Sequence, residues 1–383
     1  MTRNILFVSH SAELNGAEQM LVQTLKKIDR QKFRPFLVIP KPGPVGDGAK
    51  RIDVETFVVP MKWWITEKSK VWKQPFAWLF NIKSIFQISK LIRERKINLV
   101  FSNSAVASSG AVAAKREGIP HVWSIHEILG GRDRLLYFLF GSRPLVWLIH
   151  GLSRKVIANS SATQSAFQKY KRVCIIYNGI ELEEEKPIRR DDLKQEFGLN
   201  QGDRVLGIVG KIYEEKGQRE VILATASLLP NLPNLKLLIV GAVKDKRYYL
   251  KLQKIVREQH LENRVVFTGF RKDIFDVLRL MDLLVVASRV DSFGRIIIDA
   301  MAVGVPVLAL KSGGLPEVIT AGENGFLVER QEPAAIADAI RNILQSPAKT
   351  ASAVEAGFAT VRERFSLKKQ VEKVESILEE CLE

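Results

Sequence analysis

LLVVASRVDSFGRIIIDAMAVGVPVLALKSGGLPEVITAGENGFLV, residues 283–328, decides the fold. It opens on an unbroken apolar run, residues 283–287, the pattern of a strand in a parallel sheet covered on both faces. A loop over 288–292 leads into a helix that starts near Phe293 or Gly294. Asp291 stands just before that helix and Asp299 two turns along it, so both carboxylates can face one crevice. Between them Phe293, Gly294, Arg295 and Ile296 offer backbone N–H groups at a helix N-terminus, a place for phosphate, and Gly294 lets a ligand approach the backbone. A second strand over 305–310 runs on to Gly313-Gly314 and then Glu317.

Working outward, 383 residues suit two domains of about 190 each. Lysine and arginine number 58 against 42 aspartates and glutamates, a formal charge of +16. Such an excess calls for an anionic partner: nucleic acid, anionic lipid or a phosphorylated substrate. The two cysteines, Cys174 and Cys381, are far apart in sequence and have no metal-type spacing, which fits a reducing cytoplasm. The chain enters a strand by residue 5, so no secretory leader is expected. No apolar run reaches the ~20 residues that span a bilayer.

Strands and helices alternate through the first half, hence a doubly wound sheet. The first strand ends at Ser9, a loop over 10–16 carries Gly16, and a helix follows over 17–28. Residues 41–48 read as a Pro/Gly-rich loop between strands at 36–40 and 54–59. The segment 61–96 then holds Trp63, Trp64, Trp72 and Trp78, four of the six tryptophans. From Lys62 to Lys96 it has nine Lys/Arg against two Glu. Rings mixed with cations suit the headgroup layer of an anionic membrane, with Trp63, Trp64 and Trp72 as its contacts. A core helix over 80–92 with a solvated basic face is the competing reading of the same residues. A strand over 121–125 delivers His126-Glu127 at its C-terminal end, where open α/β sheets bind ligands. A second aromatic, basic stretch covers 132–150, and charged residues 181–194 read as a linker. The second half opens with a strand over 205–209, then Gly210-Lys211 and Lys216-Gly217. Beyond Pro333 the pattern is helical, ending in an amphipathic helix over 367–382.

DSFGRIIIDAMAVGVPV, residues 291–307, resembles the donor motif of retaining glycosyltransferases with the GT-B fold, of glycosyltransferase family 4 type. There the pattern is acid-x-Phe-Gly-x4-acid followed by Ala-Met-Ala-x-Gly-x-Pro-Val, and both acids are usually Glu. Asn15-Gly16-Ala17-Glu18 resembles the family's Gly-Gly-x-Glu loop, and Asn178-Gly179-Ile180 its Pro-Asn-Gly-Val turn. The resemblance implies two Rossmann-like doubly wound α/β domains facing a cleft, 1–185 for the acceptor and 186–365 for the donor. A C-terminal helix over 366–383 would cross back to the first. It implies that Lys211 and Lys216 clamp the donor diphosphate, and that Gly16 lies near it. Backbone at Gly269 and Phe270 would hold the base, Asp291 the sugar hydroxyls and Asp299 the ribose. His126 would touch the donor sugar.

The activity so implied is transfer of a hexose-type sugar from a UDP- or GDP-sugar to a glycan or lipid-linked acceptor, in cell-envelope or polysaccharide biosynthesis. No metal or cofactor is expected, since no Asp-x-Asp triplet occurs. The expected place is the cytoplasm, peripherally on the inner face of the membrane. A sugar-nucleotide epimerase of the same fold is the competing enzyme. A basic membrane or nucleic-acid binding module is the competing non-enzyme, although no nucleic-acid reading motif is present.

Overall fold

The apolar runs become strands of two all-parallel sheets in a computed structural model that describes residues 2–131, 134–182 and 190–383. The first contains β1 (Arg3–Ser9), β2 (Phe33–Ile39), β3 (Glu55–Val58), β4 (Leu99–Asn103), β5 (His121–Ile125), β6 (Lys155–Ala158) and β7 (Val173–Ile175), in the order β3-β2-β1-β4-β5-β6-β7. The second contains β8 (Arg204–Val209), β9 (Leu235–Val240), β10 (Val265–Gly269), β11 (Leu283–Val286), β12 (Val307–Leu310) and β13 (Phe326–Val328), in the order β10-β9-β8-β11-β12-β13. Each order reverses beside its first strand, at the β1/β4 and β8/β11 boundaries. Such switch points open a crevice at the carboxyl ends of the strands.

Alternation along β1 shows why the sheet needs cover on both sides. Ile5 and Phe7 enter one cluster with Leu25, Leu37, Val374 and Leu378, while Leu6 and Val8 enter another with Phe36, Ile88 and Ile92. The second sheet packs Leu206, Ile208, Leu237, Ile239, Leu283 and Val285 against helices on one face.

The chain divides into Met1–Gly179 with Leu367–Glu383, and Ile180–Ser366. The last helix, Leu367–Leu382, thus returns to the first unit, where Val374, Leu378 and Cys381 join its core. The boundary expected at 185/186 lies outside the described residues, as do residues 183–189 of the expected linker and Arg132 at the head of the second aromatic stretch, while residues 190–194 of that linker belong to the helix Arg190–Glu196. The loop expected over 41–48 is a loop only at its start. Pro44–Lys50 is a short helix, because proline is pre-set for the first helical turn.

The aromatic segment corrects one expectation. Trp63 is 42% exposed, but Trp64 is only 6% exposed and belongs to the core. Its ring stacks on Trp123 at 5.9 Å and its Nε1 donates to the Ala105 carbonyl at 2.6 Å, so it cannot reach a membrane. The following helix, Gln74–Glu94, buries Gln74, Asn81, Ser84 and Ser89 and turns several phenylalanines outward. It starts six residues before the expected helix at 80.

All six tryptophans lie in the first unit, so their fluorescence reports that unit alone. Leu378→Ala should lower its stability by about 3 kcal/mol through the cavity left in the core. The tryptophan-detected denaturation midpoint should fall, and an unchanged midpoint would remove the last helix from the fold's foundations.

Candidate active site

In each unit the candidate polar side chains lie at the carboxyl edge of its own sheet. In the second unit, β8 runs into Gly210 and Lys211, a short 3-10 turn Glu214–Lys216, and Gly217. That turn brings Lys216 to the loop after β11, where its Nζ lies 2.8 Å from Asp291 Oδ2. Asp291 Oδ1 accepts from the Gly294 N–H at 2.8 Å and the Phe293 N–H at 3.3 Å. Burial pushes both charged groups toward neutrality, yet the pair outweighs it. The Lys216 pKa ends above its ordinary value and the Asp291 pKa below. Both are therefore ionised at neutral pH.

Two of the four N–H groups expected as a phosphate site at Phe293–Ile296 already have a partner. An aspartate side chain is short enough to fold back and cap the N–H groups two and three residues on. Those of Phe293 and Gly294 are taken up by Asp291, and the helix Arg295–Met301 has only seven residues. The Phe293 ring is buried against Phe365 at 5.6 Å. The loops close tightly around it. A Cβ at Gly313 would come within 2.1 Å of the Asp291 carbonyl and one at Gly314 within 2.1 Å of the Ser292 carbonyl, which fixes both positions as glycine.

Asp299 is buried in the helix Arg295–Met301. Burial raises its pKa, and Arg295, whose Nε is 3.8 Å away, pulls it back only in part. Its Oδ1 accepts no hydrogen bond from the described residues. Lys211 is exposed, and Lys244 Nζ sits 4.2 Å above the Tyr213 ring between the two lysines in sequence order of the turn. At the end of β10, Gly269 is in the left-handed region and Phe270 projects outward. The Gly269 carbonyl already accepts from the Gly241 N–H at 2.8 Å.

In the first unit the ends of β1, β4 and β5 bring together groups that sequence reading did not join. His10 Nε2 lies 2.9 Å from Glu18 Oε1, and His10 Nδ1 lies 3.2 Å from the Asn103 carbonyl. Both ring nitrogens face oxygen atoms. Burial pulls its pKa down, but Glu18 and then Glu127 outweigh burial and the net shift is upward. Glu18 is fully buried, and His10 holds its carboxyl below the usual range against burial. The Trp63 indole N–H donates to the His10 carbonyl at 3.2 Å.

His126 sits in the next layer. Asn103 Nδ2 donates to the Ala17 carbonyl, which leaves Asn103 Oδ1 to accept from His126 Nε2 at 2.9 Å. That assigns the proton to Nε2, and Nδ1 is a buried acceptor with no hydrogen-bond donor among the described residues. Burial first of all lowers the His126 pKa, the opposite of the net shift at His10. Glu127 folds back onto Ser104 Oγ and onto the N–H groups of Ala105 and His126. Ser104, a non-glycine residue at φ 87°, carries the backbone strain that this turn imposes. Gly16 opens the helix Gly16–Lys27 with nothing within 4 Å of where a Cβ would stand, leaving the helix start open to approach. The clue to His10 in sequence was its position after the first strand, whereas Glu18 stood in the motif at 15–18 with no partner named for it. Among the described residues no three His, Cys, Asp or Glu side chains gather as a metal set.

Two family models match the chain. "Glycosyltransferase Family 4" matches residues 14–184 and "Glycosyl transferases group 1" matches residues 189–360. N-acetyl-alpha-D-glucosaminyl L-malate synthase of Bacillus anthracis is 29% identical over 307 residues, covering 73% of this chain and 79% of that one. D-inositol 3-phosphate glycosyltransferase 1 of Catenulispora acidiphila is 28% identical, covering 72% and 70%. Anabaena HepE, solved in complex with UDP-glucose, superposes with a TM-score of 0.83 at 26% identity, covering 98% of this chain and 99% of that one.

Two measurements follow from these pairs. The raised His10 pKa adds stability below its unfolded value of 6.5, lost as pH rises through the folded value. The lowered Glu18 pKa adds stability above its unfolded value of 4.5, lost as pH falls through the folded value. The pair therefore contributes fully between those two pH values. Glu18→Gln should cost about 2 kcal/mol at pH 5.5 and much less at pH 9, read by tryptophan-detected denaturation. Equal losses at both would mean that the pair is not ionic. Lys216→Met should leave Asp291 a buried uncompensated charge and destabilise the second unit by about 3–5 kcal/mol. Lys216→Met/Asp291→Leu should recover most of that loss in calorimetric unfolding.

Proposed function

The chain is a glycosyltransferase of the GT-B fold, and we propose that it moves a hexose-type sugar from a nucleotide-sugar donor to a glycan or lipid-linked acceptor with retention at the anomeric carbon. The observation that carries this reading is the Lys216 ammonium, kept charged in a largely buried place at the carboxyl edge of the second sheet. Such a preorganised charge stabilises a leaving diphosphate more than a solvated lysine could. Lys211 adds a second cation on the same turn. The likeness to HepE, solved with UDP-glucose, supports a UDP-sugar as donor.

In the proposed step the bond from the anomeric carbon to the donor phosphate oxygen breaks while the bond to the acceptor oxygen forms on the same face. The acceptor hydroxyl proton passes to the departing phosphate oxygen, and nucleoside diphosphate leaves. Lys211 and Lys216 hold that diphosphate without a metal. Asp291, placed beside Lys216, is the proposed contact for sugar hydroxyls, and Asp299, with an oxygen free of donors, the proposed contact for the ribose. Backbone at Gly269 and Phe270 would take the base. His126 offers only Nδ1, an acceptor, so it would receive a hydrogen bond from a sugar hydroxyl and not give one.

Lys211→Ala should lower turnover of UDP-sugar by about two to three orders of magnitude, the usual cost of one transition-state charge contact. Turnover should persist in EDTA. Near-wild-type turnover of the variant, or release of free epimerised sugar without acceptor, would overturn the reading.

A further inference from the structure

The helix Gln74–Glu94 is built inside out. Its inward face carries Gln74, Asn81, Ser84 and Ser89 beside Ala77, Ile88 and Ile92. Its outward face carries Phe76 at 64% exposure, Leu79 at 67% and Phe86 at 52%, with Phe80 and Ile82 also exposed. The inward polar groups are tied to backbone. Gln74 Nε2 donates to the Tyr137 carbonyl at 2.7 Å and its Oε1 accepts from the Leu139 N–H at 2.9 Å. Asn81 exchanges two 2.8 Å bonds with the backbone of Lys62, and Ser84 Oγ donates to the Pro60 carbonyl. Rolling the helix to hide its phenylalanines would break all five bonds, so the apolar stripe is locked toward the outside.

The stripe has an order of its own. Phe76, Leu79, Phe80 and Lys83 follow the i, i+3, i+4, i+7 spacing of one helical face. Phe140 extends it, its ring 6.0 Å from that of Trp78 on the same helix. Cations border it. Lys62 Nζ stands 4.5 Å over the Phe80 ring, Lys73 Nζ 5.0 Å over Trp72, and the Arg116 guanidinium 4.0 Å over Phe86. Residues 62–96 carry nine Lys/Arg against two Glu. Among the described residues no helix is long and apolar enough to cross a membrane.

We propose that this outward face, with Trp72 and Phe140, docks in the headgroup layer of an anionic bilayer. The helix would lie in the plane of the interface, rings inserted and lysines on the lipid phosphates. Charge decides for lipid over a protein partner. Cores of protein interfaces are depleted in lysine, whereas an anionic leaflet draws each nearby cation. Trp63 and Trp64 take no part, one held at His10 and the other in the core. The inference rests on the proposed transfer only for the choice of a lipid-linked acceptor, since the surface itself is independent of the donor site.

Co-sedimentation with phosphatidylglycerol-containing vesicles, compared with pure phosphatidylcholine vesicles, tests it. Wild type should bind the anionic vesicles about tenfold or more tightly, and salt should release it as the Debye length shrinks from about 8 Å. Phe76→Ser/Leu79→Ser should weaken binding about tenfold or more. Lys83→Gln/Lys90→Gln should reduce the preference for anionic lipid about tenfold. Both variants change exposed side chains, and unchanged melting temperature and UDP affinity by calorimetry show that the fold and the donor site are intact. Wild type left in the supernatant with anionic vesicles at low salt overturns the proposal, as does wild-type binding by Phe76→Ser/Leu79→Ser. A dimer in sedimentation velocity that the same variant dissolves would give the face to a second copy of the chain. Failure of UDP to bind at all would strike the transfer reading and leave the membrane result standing.

Discussion

Every strand pairing in both sheets is parallel, and a parallel ladder reaches its next strand only by a crossover lying on one of its faces. With both faces covered, polar chemistry can reach the outside of such a sheet only at strand ends. That is why His10, Asn103 and His126 meet beyond β1, β4 and β5, although 116 residues of sequence separate the first from the last. The same constraint brings Lys216, after β8, to Asp291, after β11. In each unit these are the two strands, or the strands adjoining them, where the order reverses.

Both edges solve one electrostatic problem in the same way. A buried basic side chain is set against a buried carboxylate, Lys216 against Asp291 and His10 against Glu18. Pairs of this kind are weak evidence for stability, because desolvation cancels much of their attraction. They are better evidence for a site, where fixed charge in a low-dielectric place does chemical work. His126 complements this arrangement, its pKa lowered by burial and its ring one residue removed from the pair.

The sheets were legible because β1, β8, β9, β11 and β12 are apolar runs ended by glycine or small polar residues, and burial on both faces leaves sequence little freedom there. β13, three residues long, has too short a run to register. Lys216 and Asp291 were legible as motif positions, but their ion pair was not, because 75 residues separate them and the Asp-for-Glu arm length decides which groups it reaches. Glu18 was visible only as part of a loop. Trp64 misled because a tryptophan in a basic segment reads the same whether it faces lipid or Trp123; the neighbouring Trp63 shows that one residue of phase settles it. The inverted helix was hidden for a related reason. Its buried side is polar and satisfied by the backbone of Pro60, Lys62, Tyr137 and Leu139, partners that periodicity cannot name.

The return of the last helix to the first unit has a consequence during synthesis. Residues 1–179 leave the ribosome before the second unit, yet Val374, Leu378 and Cys381, which complete their core, are made only after it. The second unit, Ile180–Ser366, is continuous in sequence and can close while the nascent chain is still tethered. The first unit must wait, with the groove between the sheet and the helix Gly16–Lys27 uncovered until residues 367–382 have emerged. In this protein the N-terminal half is therefore the late one to mature, and vectorial translation does not give the usual head start.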